Sequence, residues 1–106
     1  MALKIKKNFE EQDNCWVVEI AGEVDIHTSG SLKDTLNNLL NEKEADLKIN
    51  CEKLIYIDST GLGVLIGVLK RVKKNENNVY IIGAQNNISK LMNITGLDKI
   101  FILSDK

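Results

Sequence analysis

The chain has no proline, no internal repeat, no low-complexity run and no glycine-serine linker. Whatever site it carries therefore has to sit on the ordered fold. It has one histidine, His27, in the segment before the first helical pattern. Its two cysteines, Cys15 and Cys51, fall in strand-like apolar stretches without the close pairing or neighbouring histidines of a zinc site, so both read as buried thiols. No segment approaches the roughly 20 apolar residues of a membrane span. The opening "MALKIKKNFEEQ" lacks the apolar core of a signal peptide, which makes a cytoplasmic location and no membrane partner the expectation. Neither sign of charge dominates: 14 basic against 15 acidic side chains leave a formal net charge of -1, and no global field would draw the chain onto nucleic acid. Asn87-Ile88-Ser89 and Asn93-Ile94-Thr95 match the glycosylation sequon, which has meaning only in a secreted protein.

What is present is an ordinary globular composition, 43% apolar and 27% charged over 106 residues, enough for one domain spanning 1–106 and too little for two. "LKIKKNF" and "CWVVEIAG" alternate as strands around the polar "EEQDN" and predict a hairpin. "HTSGSLKDTLNNLLNEKEA" carries Leu32, Leu36, Leu39 and Leu40 at helical spacing and predicts a helix from near Ser29. "ADLKIN" alternates again. A second helix should run to about Lys74, followed by the turn "NENN", a strand "VYIIGA", a short helix "ISKLMN" ended by Gly96, and a strand "IFIL". Helical crossovers between strands favour parallel pairing. The expected fold class is therefore α/β (α+β), a mixed four- to five-stranded sheet with helices packed on one face.

One stretch breaks the pattern. "YIDSTGLGVLIG", residues 56–67, interrupts an apolar run with Asp58, Ser59 and Thr60 and then places two glycines inside a helix. At 100° per residue from Ser59, the residues Leu62, Val64, Leu65, Ile66, Val68, Leu69 and Val72 occupy an arc of about 200°, with Val64 and Val68 at its margin. The remaining arc holds Ser59, Gly63, Gly67, Lys70, Arg71 and Lys74, with Thr60 beside them. Each exposed interior glycine costs roughly 0.8–1 kcal/mol relative to alanine, which suggests that another backbone or a ligand approaches this stripe. Packing against a neighbouring loop of the same chain is the alternative explanation for the glycines. Asp58-Ser59-Thr60 is also a good helix-capping cluster whatever its function, with Ser59 as the expected cap.

Catalytic readings of the stretch fit poorly. Gly61-Leu62-Gly63-Val64-Leu65-Ile66-Gly67 is one residue longer than a dinucleotide fingerprint and lacks the lysine of a P-loop. A nucleophilic Ser59 would depend on His27 and has no G-x-S-x-G elbow. A phosphoaspartate receiver could use Asp58 with Glu23 and Asp25 around magnesium, but the lysine such receivers carry after a later strand is missing. The remaining option is that Ser59 is itself a substrate, and a phosphate there would add about 1.5 to 2 negative charges.

With these residues in view, the chain resembles the STAS-domain anti-sigma factor antagonists of bacteria along nearly its whole length. "VVEIAGEVDIHTSGSLKD" is similar to the family's strand, G-E-x-D loop and first helix, "YIDSTGLGVLIG" to its phosphoserine segment, and "NITGLDKIFIL" to its C-terminal T-G-L block. The resemblance implies a protein without catalytic activity or cofactor of its own. Its unmodified form would bind an anti-sigma factor that is also a serine kinase and so release the sigma factor; a PPM-type serine phosphatase would reverse the kinase. It further implies Ser59 as phosphoacceptor, with Thr60 an open alternative, and Asp25 as a loop acid near it. The expected partner-binding residues are Asp25, Asp58, Thr60, Gly61, Gly63, Gly67 and Lys70. A scaffold module that is never phosphorylated, in a stress-signalling or transport assembly, is the alternative. Asn50-Cys51-Glu52 departs from the D-L-S common in the family's third strand.

Overall fold

The computed structural model describes residues 3–105. Along the chain run β1 (Leu3–Glu10), β2 (Cys15–Val24), α1 (Ser29–Glu42), β3 (Asp46–Ile57), α2 (Ser59–Lys74), β4 (Val79–Ile82), α3 (Asn86–Thr95), a 3-10 turn (Leu97–Lys99) and β5 (Ile102–Ser104). The five strands lie side by side in chain order. β1 and β2 form the expected antiparallel hairpin, and every later pairing is parallel because a helix or helical turn carries the chain back across the sheet.

Strand alternation decides which face is covered. Val18, Ile20, Leu47, Ile49, Val79 and Ile81 are buried, whereas Glu19, Lys48, Asn50 and Tyr80 between them keep partial exposure. The buried set joins Leu32, Leu36, Leu39 and Leu40 of α1, Leu62, Leu65, Val68, Leu69 and Val72 of α2, and Ile88 and Met92 of α3 in a single core. Each fully buried leucine contributes about 1.5–3 kcal/mol. Cys15 and Cys51 are buried free thiols, as expected. Burial pushes the Cys51 thiol up to about 12.

Three boundaries differ from the expectation. β3 continues past Asn50 to Ile57, but its buried positions change from every second residue (Leu47, Ile49, Cys51) to every third (Leu54, Ile57), and its register with β2 shifts between Glu19 and Ala21. Such a bulge inserts a residue that a period of two cannot register. α3 is longer than "ISKLMN", although Gly96 does end it, in the left-handed conformation at φ 76°. The residues just after Gly96 form the 3-10 turn and Phe101 is buried, so the last strand starts at Ile102 and not at Ile100.

Candidate functional site

Val24 and Ile57 are paired at the ends of β2 and β3. The residues that follow them, Asp25 and Asp58, therefore leave the sheet side by side at the carboxyl end of parallel strands. The Asp58 amide donates to the Val24 carbonyl over 3.1 Å and fastens the two loops together.

Each aspartate organises its own loop. The Asp25 carboxylate accepts from the amides of His27 at 2.8 Å and Thr28 at 3.1 Å, while the Thr28 hydroxyl donates to the Glu23 carbonyl at 2.8 Å. The Asp58 carboxylate accepts from the Thr60 hydroxyl at 2.6 Å and the Gly61 amide at 3.1 Å. These donors stabilise the ionised forms and hold both carboxyls below the usual carboxylate range, the His27 amide being the main cause at Asp25 and the Thr60 hydroxyl at Asp58.

The cap of α2 is therefore Asp58, not Ser59 as the sequence suggested. An aspartate is as good a cap as a serine, and once it takes that role Ser59 becomes the first residue of the helix. Ser59 is exposed, and its hydroxyl has no partner among the described residues. The neighbouring hydroxyl of Thr60 is engaged by Asp58. One of the two candidate acceptors is thus free and the other is bonded.

Below Ser59 the glycines divide. Gly63 and Gly67 are exposed, and a Cβ on either would meet nothing within 4 Å, so no neighbouring loop of the chain packs on them. Gly61 faces inward: a Cβ there would lie 2.6 Å from both Ile57 Cγ1 and Val24 Cγ1. It contributes its backbone amide to the Asp58 cap and offers no surface. The buried arc of α2 is also narrower than projected. Val68 is fully in the core, and Val64 and Ile66 are its half-buried margins, because α1 covers the Val68 side.

Between α1 and α2 lies an open groove of about 450 Å³, floored by Val64 and Val68 and edged by Thr60, Gly63, Gly67, Lys33 and Asn37. The contribution of α1 was not anticipated. Lys33 and Asn37 stand four residues apart on one helical face, and that spacing was the only signal in the sequence. Lys70 is exposed on α2 but does not line the groove. Arg71, expected on the open stripe, instead ties the helices together: it donates to Glu44 at 2.6 Å, Asn41 at 2.8 Å and Asn37 Oδ1 at 3.1 Å. Ile26, 70% exposed beside Asp25, is an apolar side chain presented by the loop that the sequence reading also passed over.

Among the described residues, the only cluster of three potential metal ligands is Glu10, Asp13 and Cys15 in the hairpin, and it includes none of Glu23, Asp25 and Asp58. No described helix is long and apolar enough to cross a membrane.

Comparison with known proteins agrees with this fold. The family model described as STAS domain matches residues 6–106. An anti-sigma-B factor antagonist of Staphylococcus aureus (strain NCTC 8325 / PS 47) is 34% identical over 94 residues, covering 89% of this chain and 87% of the relative. Among solved structures, a protein of Thermotoga maritima superposes with a TM-score of 0.89 at 17% identity, covering 96% of this chain and 86% of the other. An anti-sigma factor antagonist from Mycobacterium paratuberculosis superposes with a TM-score of 0.82 at 23% identity, covering 97% and 87%. The two structural likenesses show the shared fold.

Proposed function

The chain belongs to the STAS domain family, and from that premise we propose that it is a cytoplasmic anti-sigma factor antagonist whose binding surface is switched by phosphorylation of Ser59. In the unmodified state the head of α2, the Asp25 loop and the α1–α2 groove receive an anti-sigma factor that is also a serine kinase, and the sigma factor is released. Asp25, Asp58, Thr60, Gly63 and Gly67 frame that surface, with Gly61 supporting it from behind and Lys70 offering a contact farther along α2, outside the groove.

The observation that carries this reading is the free Ser59 hydroxyl above an unobstructed glycine stripe. In the transfer, the Ser59 Oγ forms the new bond to the γ-phosphorus of ATP, the bond to ADP breaks, and the hydroxyl proton passes to a base of the kinase. The kinase and its nucleotide supply the chemistry, and this chain supplies an accessible acceptor that it does not activate. Because Asp58 already caps the helix, the added phosphate leaves the cap intact and changes the surface alone. The negative charge placed there opposes a partner that has adapted to a small neutral hydroxyl. A PPM-type serine phosphatase hydrolyses the ester and restores binding.

Intact-mass spectrometry with site localisation, after mixing the protein with ATP, magnesium and an anti-sigma kinase of the same genome, tests the modification. One phosphate on Ser59 is expected; none with any such kinase would favour an unphosphorylated STAS scaffold. Isothermal titration tests the switch, with binding expected for the unmodified protein and nearly lost for Ser59→Asp.

A further inference from the structure

Lys33 is exposed on α1; its carbonyl accepts from the Asn37 side-chain amide at 3.0 Å, while its ammonium has neither an ion pair nor a hydrogen bond among the described residues. No acid lies three or four residues from it on its own helix, where Ser29, Gly30, Leu36 and Asn37 stand. It nevertheless lines the groove together with Thr60 and Gly63.

The relative placement of the helices explains why. Arg71 grips Asn37, and Lys33 lies four residues before Asn37, about 6 Å nearer the head of the helix pair at 1.5 Å per residue. Helical side chains lean toward their own N-terminus. α1 and α2 both follow parallel strands and run in the same direction, so the Lys33 ammonium is carried toward the first turn of α2. Gly63, one turn below Ser59, leaves the intervening space open. Lys70, on the same angular stripe as Ser59, is eleven residues along α2 and therefore about 16 Å away. Asp25 and Asp58, at the head of α2, are both committed to bonds within their loops, and His27 donates its amide to Asp25.

We propose that Lys33 is the intrachain partner of the phosphate on Ser59, drawing it across the mouth of the α1–α2 groove so that the modified protein closes its own binding surface. This rests on the reading of Ser59 as the phosphoacceptor. It adds that the switch has an attractive arm within the chain, besides repulsion of the partner. Two flexible charged groups at the surface form a modest ion pair, sufficient to bias where the phosphate sits while remaining open to a phosphatase.

The test uses full-length protein with phosphoserine installed at position 59 during translation, so that it requires neither kinase nor binding partner and its failure is separate from failure of the phosphoswitch. The phosphate resonance is followed by 31P NMR across pH 5–8, around its second pKa near 6. In the otherwise unmodified sequence the apparent pKa should lie about 0.2–0.7 units below that in Lys33→Gln, and Lys33→Arg should restore the lower value. Coincident titrations for the parent and Lys33→Gln would overturn the proposal. A depression lost in His27→Gln but retained in Lys33→Gln would overturn it in favour of the imidazole.

Discussion

The Thr60 hydroxyl donates to Asp58 Oδ1 over 2.6 Å, while Ser59, between them in sequence, presents a hydroxyl with no partner among the described residues. A kinase meeting this turn finds one hydroxyl already held and one free. Asp58→Ala should release Thr60 and lower the urea midpoint of unfolding by removing the cap; Asp58→Asn, a comparable cap, should largely preserve it. Phosphosite mapping is expected to find Ser59 alone in the parent and some Thr60 in Asp58→Ala. Phosphate confined to Ser59 in that variant would show that the hydrogen bond does not select the acceptor.

The three glycines of α2 should respond to alanine with opposite signs. Gly63→Ala and Gly67→Ala meet open space and should each stabilise the fold by up to about 1 kcal/mol through helix propensity. Gly61→Ala forces a methyl against Ile57 and Val24 and should destabilise it by about 1–3 kcal/mol. Urea denaturation of the three variants checks the signs. Gly63→Leu and Gly67→Leu should keep cooperative unfolding while weakening titration with the kinase.

Arg71 of α2 reaches Asn37 and Asn41 of α1 and Glu44 of the loop that follows α1. The Arg71 and Glu44 side chains keep 28% and 36% exposure, so solvent screens their pairing. Arg71→Met should cost about 0.5–1.5 kcal/mol, with Glu44→Gln contributing the smaller, salt-sensitive part. A double-mutant cycle at low and high salt separates the ionic share from the hydrogen bonds to asparagine.

Acid should loosen the site through Asp25 and Asp58. Both have folded pKa values below the ordinary 3.8, so their contribution is fully present above about pH 5 and is lost as the pH falls through 3.8 toward the lowered folded values. Urea midpoints measured from pH 6 to pH 2 should fall less steeply for Asp25→Asn and Asp58→Asn than for the parent. Equal slopes would mean that neither carboxylate is held ionised by its loop.

Cys51, buried and with its pKa raised to about 12, should resist iodoacetamide at pH 8 in the native protein and react once the chain is unfolded in urea. Mass spectrometry after a timed exposure distinguishes the two states. Rapid alkylation in the native protein would contradict its place in the core.

Much of the fold was legible because it rests on local periodicity. Leu32, Leu36, Leu39 and Leu40 mark α1 by their spacing, Leu47 and Ile49 mark β3 by alternation, and Gly96 marks the end of α3 because that turn needs a positive φ. The Ser59 segment stood out for a similar reason, since hydroxyls and glycines in an apolar helical run conflict with local preference. What the sequence could not reveal lies where two elements meet. The continuation of β3 depends on a bulge matched to β2, and Arg71 leaves the open stripe because Asn37 and Asn41 of α1 and Glu44 of the loop after it, about 30 residues earlier, arrive beside it.

The amino-acid sequence alone determined the order of the main strands and helices, the exposed stripe of Gly63 and Gly67, and the place of Ser59 at the head of α2, since each follows from side chains within a few residues of one another. Only the tertiary structure decided that Asp58 caps the helix and leaves Ser59 free, that Gly61 is packed between Val24 and Ile57, and that Lys33 reaches the groove. Hydrogen-bond partners and close approaches of that kind depend on which strands lie side by side and on how one helix is laid against the next. Those distances exist only once the chain has closed on its core.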